Sequence, residues 1–146
     1  MSNMSLPAPD KFKYAKSIEV RWRDLDALNH VNNAVYLTYM EHARSYYLQE
    51  AIRWDWTKDG IILANATIDF KVALLLTDKP LVHVRCLHLG NKSFTLQYAI
   101  TTERNGLTLL AATAQTVLVM YDFVAEKTLP LTDEIRQKFA EFEGEI

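Results

Sequence analysis

The chain has little cysteine, glycine or proline and no long hydrophobic run. Cys86 is the only cysteine in 146 residues, so an internal disulfide is impossible. With four glycines and four prolines, the chain contains no low-complexity segment. No stretch approaches the roughly 18 apolar residues that span a membrane, and the N-terminus lacks the apolar core of a secretory signal. We therefore predict a cytoplasmic protein with no membrane partner.

An excess of basic residues is also missing. Sixteen Lys and Arg against eighteen Asp and Glu give a net charge of -2, which offers nucleic acid no broad basic surface. His42, His83 and His88 show no metal-ligand spacing with Cys86 or with carboxylates, so a metal is not expected, and no other cofactor is predicted. Hydrophobic residues make up 49% of the chain, enough for one core in one domain. We expect residues 1–15 to form a flexible N-terminal tail and residues 16–146 to form this domain.

The apolar pattern changes from strand-like to helical and back. Alternation of apolar and polar residues predicts a short strand over 18–23, with Ile18, Val20 and Trp22 on one face. From Asn33, apolar residues recur at intervals of three and four and predict a helix of about 18 residues, with Asn32 or Asn33 as its N-cap. The remaining pattern predicts four strands and a terminal helix, over residues 62–72, 81–89, 93–102, 107–121 and 132–142.

The predicted strands assemble into one sheet. In the first strand after the helix, the even-numbered residues 62–72 are apolar and are expected to face the core. The last strand is apolar on both faces, which favours a central or subunit-contacting position. The short turns LGNK and ERNG are typical of hairpins and indicate antiparallel order. One helix packed against a five-stranded antiparallel sheet is an α+β domain.

The stretch RWRDLDALNHVNNAVYLTYMEHAR, residues 21–44, resembles the signature of the hotdog-fold acyl-CoA thioesterases of the 4-hydroxybenzoyl-CoA thioesterase type. The similarity extends to GNKSFTLQYAI, AATAQTVLVMYD and LPLTDEIRQKF, and so covers about residues 16–139. It implies a hotdog fold, in which the sheet wraps the long central helix and two subunits join their sheets edge to edge. The resemblance also implies an active site at the interface of a homodimer, or of a dimer of dimers. The substrate would be an acyl-CoA, with acyl-carrier protein as a possible alternative carrier.

The resemblance assigns roles to three residues of this stretch. Thioester hydrolysis needs an activated water or a carboxylate nucleophile, and a donor for the developing oxyanion. Asp26 matches the family's catalytic carboxylate, acting as general base or as nucleophile. The backbone N–H of Asn33 matches the carbonyl-polarising amide, supported by the helix dipole. For His30, orientation of the loop and contact with the acyl group both remain open.

Three other charged residues lie close to these positions in the sequence. Asp24 has Arg21 or Arg23 as a near neighbour and is predicted to be structural. Glu41 and Arg44 lie three residues apart on the helix and either pair with each other at its surface or hold the loop or the dimer contact. Both are assigned to structure.

The acyl group is expected to enter a tunnel between helix and sheet, whose depth sets the chain length. The predicted lining consists of Tyr36, Tyr39, Met40, Ile62, Ala64 and Ala66. For the phosphates of coenzyme A, Lys92 in LGNK matches a turn where relatives with aromatic substrates carry a basic triplet. Only one of the three positions is basic here, so other basic residues are alternative contacts, namely Arg85, Lys71 and Arg104.

Two other functions compete with thioester hydrolysis. Hotdog hydratases and dehydratases pair a catalytic histidine with a carboxylate, a pair that His30 and Asp26 would imitate. A non-catalytic module that binds acyl-CoA or acyl-carrier protein is the other alternative. The length of the acyl chain, and whether it is aliphatic or aromatic, stay open at this point.

Overall fold

One long helix and one antiparallel sheet make up most of the structure. The computed structural model describes residues 11–58, 60–144 and 146. The elements in chain order are β1 (Tyr14–Ser17), a 3-10 turn (Trp22–Asp24), α1 (Val35–Ile52), β2 (Gly60–Phe70), β3 (Leu81–Leu89), β4 (Ser93–Arg104), β5 (Leu107–Asp122), β6 (Lys127–Thr128) and α2 (Asp133–Glu143). Neither helix in this part of the chain has the length and apolar character needed to cross a membrane.

The strands form a sheet in the order β1-β3-β4-β5-β2, and every neighbouring pair is antiparallel. This confirms the predicted five-stranded antiparallel sheet and the α+β class, with the two-residue β6 as an addition beside β5. Both predicted hairpins are also present. In the β4–β5 turn, Asn105 and Gly106 have φ angles of 53° and 77°, a left-handed pair that suits a two-residue hairpin.

The core lies between α1 and the face of the sheet that it covers. On β4, the alternating Phe94, Leu96, Tyr98 and Ile100 are all buried against the helix, as the period of two predicts. The helix contributes a stripe of buried side chains that includes Tyr36, Met40, Ala43 and Tyr47. Strand β5 lies between β4 and β2, which confirms its prediction as a central strand.

The first strand lies earlier than predicted. Strand β1 pairs with β3 and ends at Ser17. The predicted strand over 18–23 is therefore wrong, because these residues follow the strand and lead into the 3-10 turn. Ile18 and Val20 are buried as expected, but Trp22 is 76% exposed. The reason is local: the carboxylate of Asp24 accepts a hydrogen bond from the N–H of Arg21, which bends the chain into the 3-10 turn. Because Tyr14 already pairs with Val84, the predicted tail ends too late, and its residues 1–10 lie outside the described residues.

Strand β2 changes face part-way along. A β-bulge between Leu63 and Asn65 shifts its register against β5. After the bulge, Ala66 and Ile68 lie opposite residues of β5 that face the helix, as predicted. Before it, Leu63 faces the helix and Ile62 lies on the other side, because directly paired residues share a face. The predicted inward position of Ile62 is therefore wrong, and Ala64 lies within the bulge.

Both helices begin close to their predicted starts. Helix α1 starts at Val35, and Ala34 occupies its N-cap position without a side-chain cap. The predicted cap Asn32 still contributes, because its side-chain oxygen accepts the N–H of Ala34 at 3.0 Å. For α2, the hydroxyl of Thr132 accepts the N–H of Ile135 at 3.1 Å, a regular N-cap that confirms the terminal helix.

Candidate active site

The loop before α1 is a small hairpin that carries Asp26. The N–H of Asp26 donates to the carbonyl of His30 at 2.8 Å, and the N–H of Asn32 donates to the carbonyl of Asp24 at 2.9 Å. Between these bonds, Leu25 and Val31 form an isolated antiparallel bridge. The two arms of the loop are therefore joined by backbone hydrogen bonds. This pairing holds Asp26 beside the chain that enters the N-terminus of the helix.

The carboxylate of Asp26 is exposed, and one of its two oxygens accepts hydrogen bonds from the loop. Its Oδ1 accepts the backbone N–H of Leu28 at 2.8 Å and that of His30 at 3.2 Å. Asn29 at the tip of the loop has a φ of 62°, a conformation that asparagine tolerates well. Within the described residues, Oδ2 accepts no hydrogen bond. One carboxylate oxygen thus fixes the loop, and the other is available to a water molecule or a substrate.

His30 and Asn33 flank this carboxylate in different ways. His30 supports the loop through its backbone N–H and carbonyl, whereas its imidazole makes no hydrogen bond with Asp26. Asn33 lies in the turn before the helix, and its carbonyl accepts the N–H of Tyr36 at 3.3 Å. No acceptor for the N–H of Asn33 is found among the described residues. A free amide at the positive end of a helix can donate to an oxyanion.

Asp24 is a buried anchor beneath the loop. Its carboxylate accepts the hydroxyl of Tyr39 at 2.7 Å and pairs with the guanidinium of Arg21 at 3.3 Å. Burial by itself raises the pKa of Asp24, but the hydrogen bonds from Tyr39 and Arg21 more than offset it, so the pKa lies below its ordinary value. The structural role predicted for Asp24 agrees with this geometry, and its partner is Arg21 rather than Arg23.

The segment after β2 braces the loop from the other side. The N–H of Val31 donates to the carbonyl of Leu74 at 2.9 Å, and the N–H of Leu74 donates to the hydroxyl of Tyr36 at 3.2 Å. Farther along this segment, Asp78 pairs with Arg104, whose Nε lies 2.9 Å from Oδ1. Arg104 also donates to the carbonyl of Ala73. The loop is thus held between the helix and a segment clamped to β4.

The cavity between α1 and β2 has a different lining from the one predicted. Its volume is about 500 Å³, and its lining residues are Thr38, Glu41, His42, Arg44, Ser45, Trp56, Ile61, Leu63 and Leu118. Tyr36 and Met40 are not among them, because both are buried in the core. Ala64 is exposed at the bulge of β2. Of the residues predicted to bind substrate, the structure brings none into this cavity.

The predicted basic residues are spread over the molecule. The carbonyl of Lys92 accepts the N–H of Met120, whereas the N–H of Lys71 donates to the carbonyl of Ala111 at the end of the sheet that carries the Asp26 loop. Met120 and Ala111 are nine residues apart on β5, which is roughly 25 to 30 Å along a strand. Lys92 and Asp26 therefore lie at opposite ends of one subunit.

Two other basic residues already have partners. The Nε of Arg85 donates to Gln97 at 2.6 Å, and its guanidinium lies over the ring of Phe12. Arg104 is held in its ion pair with Asp78. A phosphate contact by either residue would compete with these interactions. Of the four basic residues, Lys92 and Lys71 are the two without a side-chain partner among the described residues.

Two polar contacts of the helix were not predicted. Tyr39 was assigned to the substrate tunnel, but its hydroxyl binds Asp24. Arg44 is only 9% exposed, and its Nη1 donates to the hydroxyl of Tyr98 at 3.1 Å instead of pairing with Glu41. The one available signal was that Arg44 lies on a helix wrapped by the sheet. Contacts across 15 and 54 residues leave no local pattern in the sequence.

An antiparallel sheet packed on one long helix, with an exposed carboxylate held at the start of that helix, defines a hotdog-fold domain of the thioesterase class. The chain belongs to the thioesterase-like superfamily, whose family model matches residues 20–139. Members of this class are enzymes that hydrolyse thioesters, and the predicted resemblance is confirmed.

Several known proteins are similar to this chain. The long-chain acyl-CoA thioesterase FadM of Escherichia coli (strain K12) is 33% identical over 124 residues, which cover 83% of this chain and 92% of FadM. A thioesterase of Thermus thermophilus, solved with coenzyme A and Zn, is 36% identical with a TM-score of 0.81, over 94% of this chain and 98% of that one. A 4-hydroxybenzoyl CoA thioesterase shares the fold at 12% identity and a TM-score of 0.81, over 86% and 97% of the two chains.

Zn belongs to the structure of the Thermus thermophilus relative. In the described part of this chain, no group of three or more His, Cys, Asp or Glu side chains is placed to hold a metal ion. The residues near Asp26 supply one free carboxylate oxygen and backbone amides. This donor set is suited to moving a proton and to binding an oxyanion.

Proposed function

We propose that this protein hydrolyses acyl-CoA thioesters to a free acid and coenzyme A, with Asp26 as the catalytic carboxylate and the N–H of Asn33 as the oxyanion donor. The observation that carries the proposal is the arrangement of the Asp26 loop. One carboxylate oxygen holds the loop together, the other has no hydrogen bond among the described residues, and the loop leads directly into the N-terminus of α1. Similarity to a long-chain acyl-CoA thioesterase supports this substrate class.

The reaction follows one of two routes. As a general base, Asp26 removes a proton from water while the water oxygen attacks the thioester carbonyl. The C–S bond then breaks, and the coenzyme A thiolate takes up the proton that Asp26 holds. As a nucleophile, Asp26 attacks the carbonyl itself and expels the coenzyme A thiolate, and water hydrolyses the resulting anhydride to the free acid and the Asp26 carboxylate. In both routes the carbonyl oxygen becomes negative, and the amide of Asn33 at the positive end of the helix stabilises it.

The arrangement of the histidine argues against the hydratase alternative. A hydratase needs an imidazole and a carboxylate that act together on the substrate. Here the carboxylate of Asp26 accepts the backbone N–H of His30, and the imidazole does not contact it. His30 is better explained as a loop-orienting residue that acts through its backbone.

The active unit that we propose is a homodimer built on the free edge of β2. Two large apolar side chains of this strand, Leu63 and Phe70, are 41% and 44% exposed, and an open strand edge favours pairing with another strand. Antiparallel pairing of two β2 strands would place the Phe70 end of one chain beside the Gly60 end of its partner. The Asp26 loop would then lie near the partner subunit's Lys92, in reach of the coenzyme A phosphates.

Three further points stay within this proposal. We assign coenzyme A rather than acyl-carrier protein as the carrier, because one named relative is an acyl-CoA thioesterase and another was solved with coenzyme A. Pairing of homodimers into tetramers would occur through other surfaces. A cytoplasmic location is consistent with a single cysteine, Cys86, which is buried.

The test is the release of free thiol from a panel of short, medium, long and aryl acyl-CoAs. Wild-type protein should turn over at least one group, and Asp26→Asn should lower kcat by about 100- to 10,000-fold, the usual worth of a general base. Asp133→Asn is the matched control, because Asp133 is exposed on α2. A wild type that binds acyl-CoA without turnover would identify a binding module, and hydration of crotonyl-CoA would identify a hydratase.

A further inference from the structure

The cavity between α1 and β2 contains a buried cation that lacks a charged partner. Arg44 is 9% exposed, and its guanidinium contacts the hydroxyl of Tyr98, which in turn lies 2.7 Å from Oγ1 of Thr116. No carboxylate among the described residues lies within 4.0 Å of it. A guanidinium has five N–H donors, so most of the hydrogen-bonding capacity of Arg44 is unused in the described structure.

A buried charge without a counterion is costly to the fold. The hydroxyl of Tyr98 accepts one hydrogen bond but carries no charge that would compensate the desolvated guanidinium. The group that best compensates it is a carboxylate, whose two oxygens match the guanidinium fork. Arg44 also lines the cavity of about 500 Å³, so such a group can reach it from that side.

The cavity lies at a useful distance from the catalytic loop. From Val35 to Arg44 the helix advances nine residues, or about 14 Å. Leu37, which is 40% exposed, lies two turns before Arg44 on the same side of the helix and provides an apolar surface between the two points. Because each bond of about 1.5 Å advances an extended carbon chain by about 1.3 Å, a chain of roughly twelve carbons spans this distance.

We infer that this cavity binds a carboxylate at the far end of a long acyl chain, with Arg44 as its anchor. The preferred substrates are then coenzyme A monothioesters of long-chain dicarboxylic acids. This inference rests on the proposed thioesterase function for its catalytic end. Ile61, Leu63 and Leu118 line the apolar wall of the same cavity and contact the last methylene groups of the chain. The exposed carboxylate of Glu41 also lines the cavity and weakens the binding of an anion there.

The test compares kcat/KM for three substrates of equal length: dodecanedioyl-CoA monothioester, 12-hydroxydodecanoyl-CoA and dodecanoyl-CoA. Wild type should prefer the dicarboxylic substrate over the unsubstituted one by about tenfold or more. Arg44→Met should abolish the preference, Arg44→Lys should keep part of it, and Glu41→Gln should increase it. Arg53→Met is the control, because Arg53 is an exposed arginine at the end of the same helix. A wild-type ratio at or below one, or a ratio that Arg44→Met leaves unchanged, overturns the inference.

A second measurement separates this inference from the proposed function and does not depend on the folding of a variant. Calorimetry on the wild-type protein compares the binding of S-(11-carboxyundecyl)-coenzyme A and S-dodecyl-coenzyme A, two non-hydrolysable thioethers that differ only at the far end of the chain. Tighter binding of the carboxylated thioether supports the cavity assignment even if no acyl-CoA is hydrolysed. Equal or weaker binding of the carboxylated thioether refutes it, even in an active thioesterase. A preference for the hydroxylated substrate over the dicarboxylic one also refutes it, since a neutral oxygen would then be the ligand.

Discussion

The hydroxyl of Tyr39 donates to the carboxylate of Asp24 at 2.7 Å, and this bond ties the first turns of α1 to the loop that carries Asp26. Asp24 also accepts the N–H of Arg21, and its carbonyl accepts the N–H of Asn32. The buried carboxylate of Asp24 thus fixes the start of the loop, and the backbone carbonyl of Asp24 fixes its end. The position of Asp26, the proposed catalytic carboxylate, depends on a residue that need not touch the substrate.

Replacing Tyr39 by Phe should therefore destabilise the protein and slow the reaction. Loss of a hydrogen bond to a buried carboxylate costs about 2 kcal/mol, and the loosened loop should lower kcat more than it raises KM. Urea unfolding and steady-state kinetics measure the two effects. Tyr46→Phe is the control, because the side chain of Tyr46 is 44% exposed. Equal stability of Tyr39→Phe and wild type would contradict the anchoring role.

The same substitution should show a pH signature. The pKa of Asp24 is lowered in the folded state, so its contribution to stability is present above the ordinary carboxyl pKa of about 3.8 and is lost as the pH falls below it. The difference in free energy of unfolding between wild type and Tyr39→Phe should be largest near neutral pH and shrink below about pH 4. A difference that grows as the pH falls would mean that Asp24 is not the group responsible.

The ion pair of Arg104 and Asp78 should brace the loop from the opposite side. Burial alone raises the pKa of Asp78, but hydrogen bonds from Arg104 and from the N–H of Leu75 lower it below its ordinary value. Arg104→Met leaves this carboxylate buried without its cation. Since Arg104 is partly exposed, we expect a loss of about 2 kcal/mol rather than the larger cost of a fully buried pair.

A double-mutant cycle tests that pairing. Asp78→Asn should cost a similar amount, and the double variant should cost clearly less than the sum of the two single changes. Thermal or urea unfolding of the four proteins gives the coupling. Additive costs would show that the two side chains act independently and that Arg104 works through the carbonyl of Ala73 alone.

Periodicity predicted the elements in which one pattern covers most of the length. Strands β3 and β4 and helix α2 lie within one or two residues of their predicted bounds, because apolar and polar residues alternate over most of each strand and apolar residues recur at helical spacing in α2. In β2, residues 61–64 are all apolar, so no pattern could fix which of them face the helix before the bulge. The strand predicted over 18–23 was lost to hydrogen bonds of Asp24, which the alternation of side chains does not reveal.

The candidate site divides in the same way. The positions of Asp26 and Asn33 came from a motif within one short stretch, and the structure places them on a single loop. Arg44 and Tyr98 meet across 54 residues, and such a contact follows only from the packing of the helix on the sheet. The basic residues predicted to contact the phosphates do not lie together in one subunit, because they belong to different strands and turns of the sheet.

Cys86 should be inert in the native protein. Burial, followed by the nearby carboxylate of Glu143, raises the pKa of its thiol to about 12, so almost none of it is thiolate at pH 8. A disulfide reagent such as dithionitrobenzoate should titrate no thiol in the folded protein and one thiol in guanidinium chloride. Rapid labelling of the native protein would show that the region around Cys86 opens readily.

Lys92 should act on the active site of the partner subunit. In one chain it lies at the opposite end of the sheet from the Asp26 loop, and antiparallel pairing of two β2 edges would bring the two together. Under this proposal Asp26→Asn should be inactive. Lys92→Ala should have reduced activity, mainly through a raised KM for coenzyme A thioesters. Both single variants should remain dimers by sedimentation.

A mixed dimer distinguishes action on the partner from action within one chain. If Lys92 serves the partner, a dimer of one Asp26→Asn chain and one Lys92→Ala chain contains one complete site, made of Asp26 from the second chain and Lys92 from the first. Purified through two different affinity tags, it should recover about half of the wild-type kcat with a wild-type KM. If Lys92 acts within its own chain, every site in the mixed dimer is defective. Its KM should then stay as high as that of Lys92→Ala, because the phosphates lack their cation at the only site that retains Asp26.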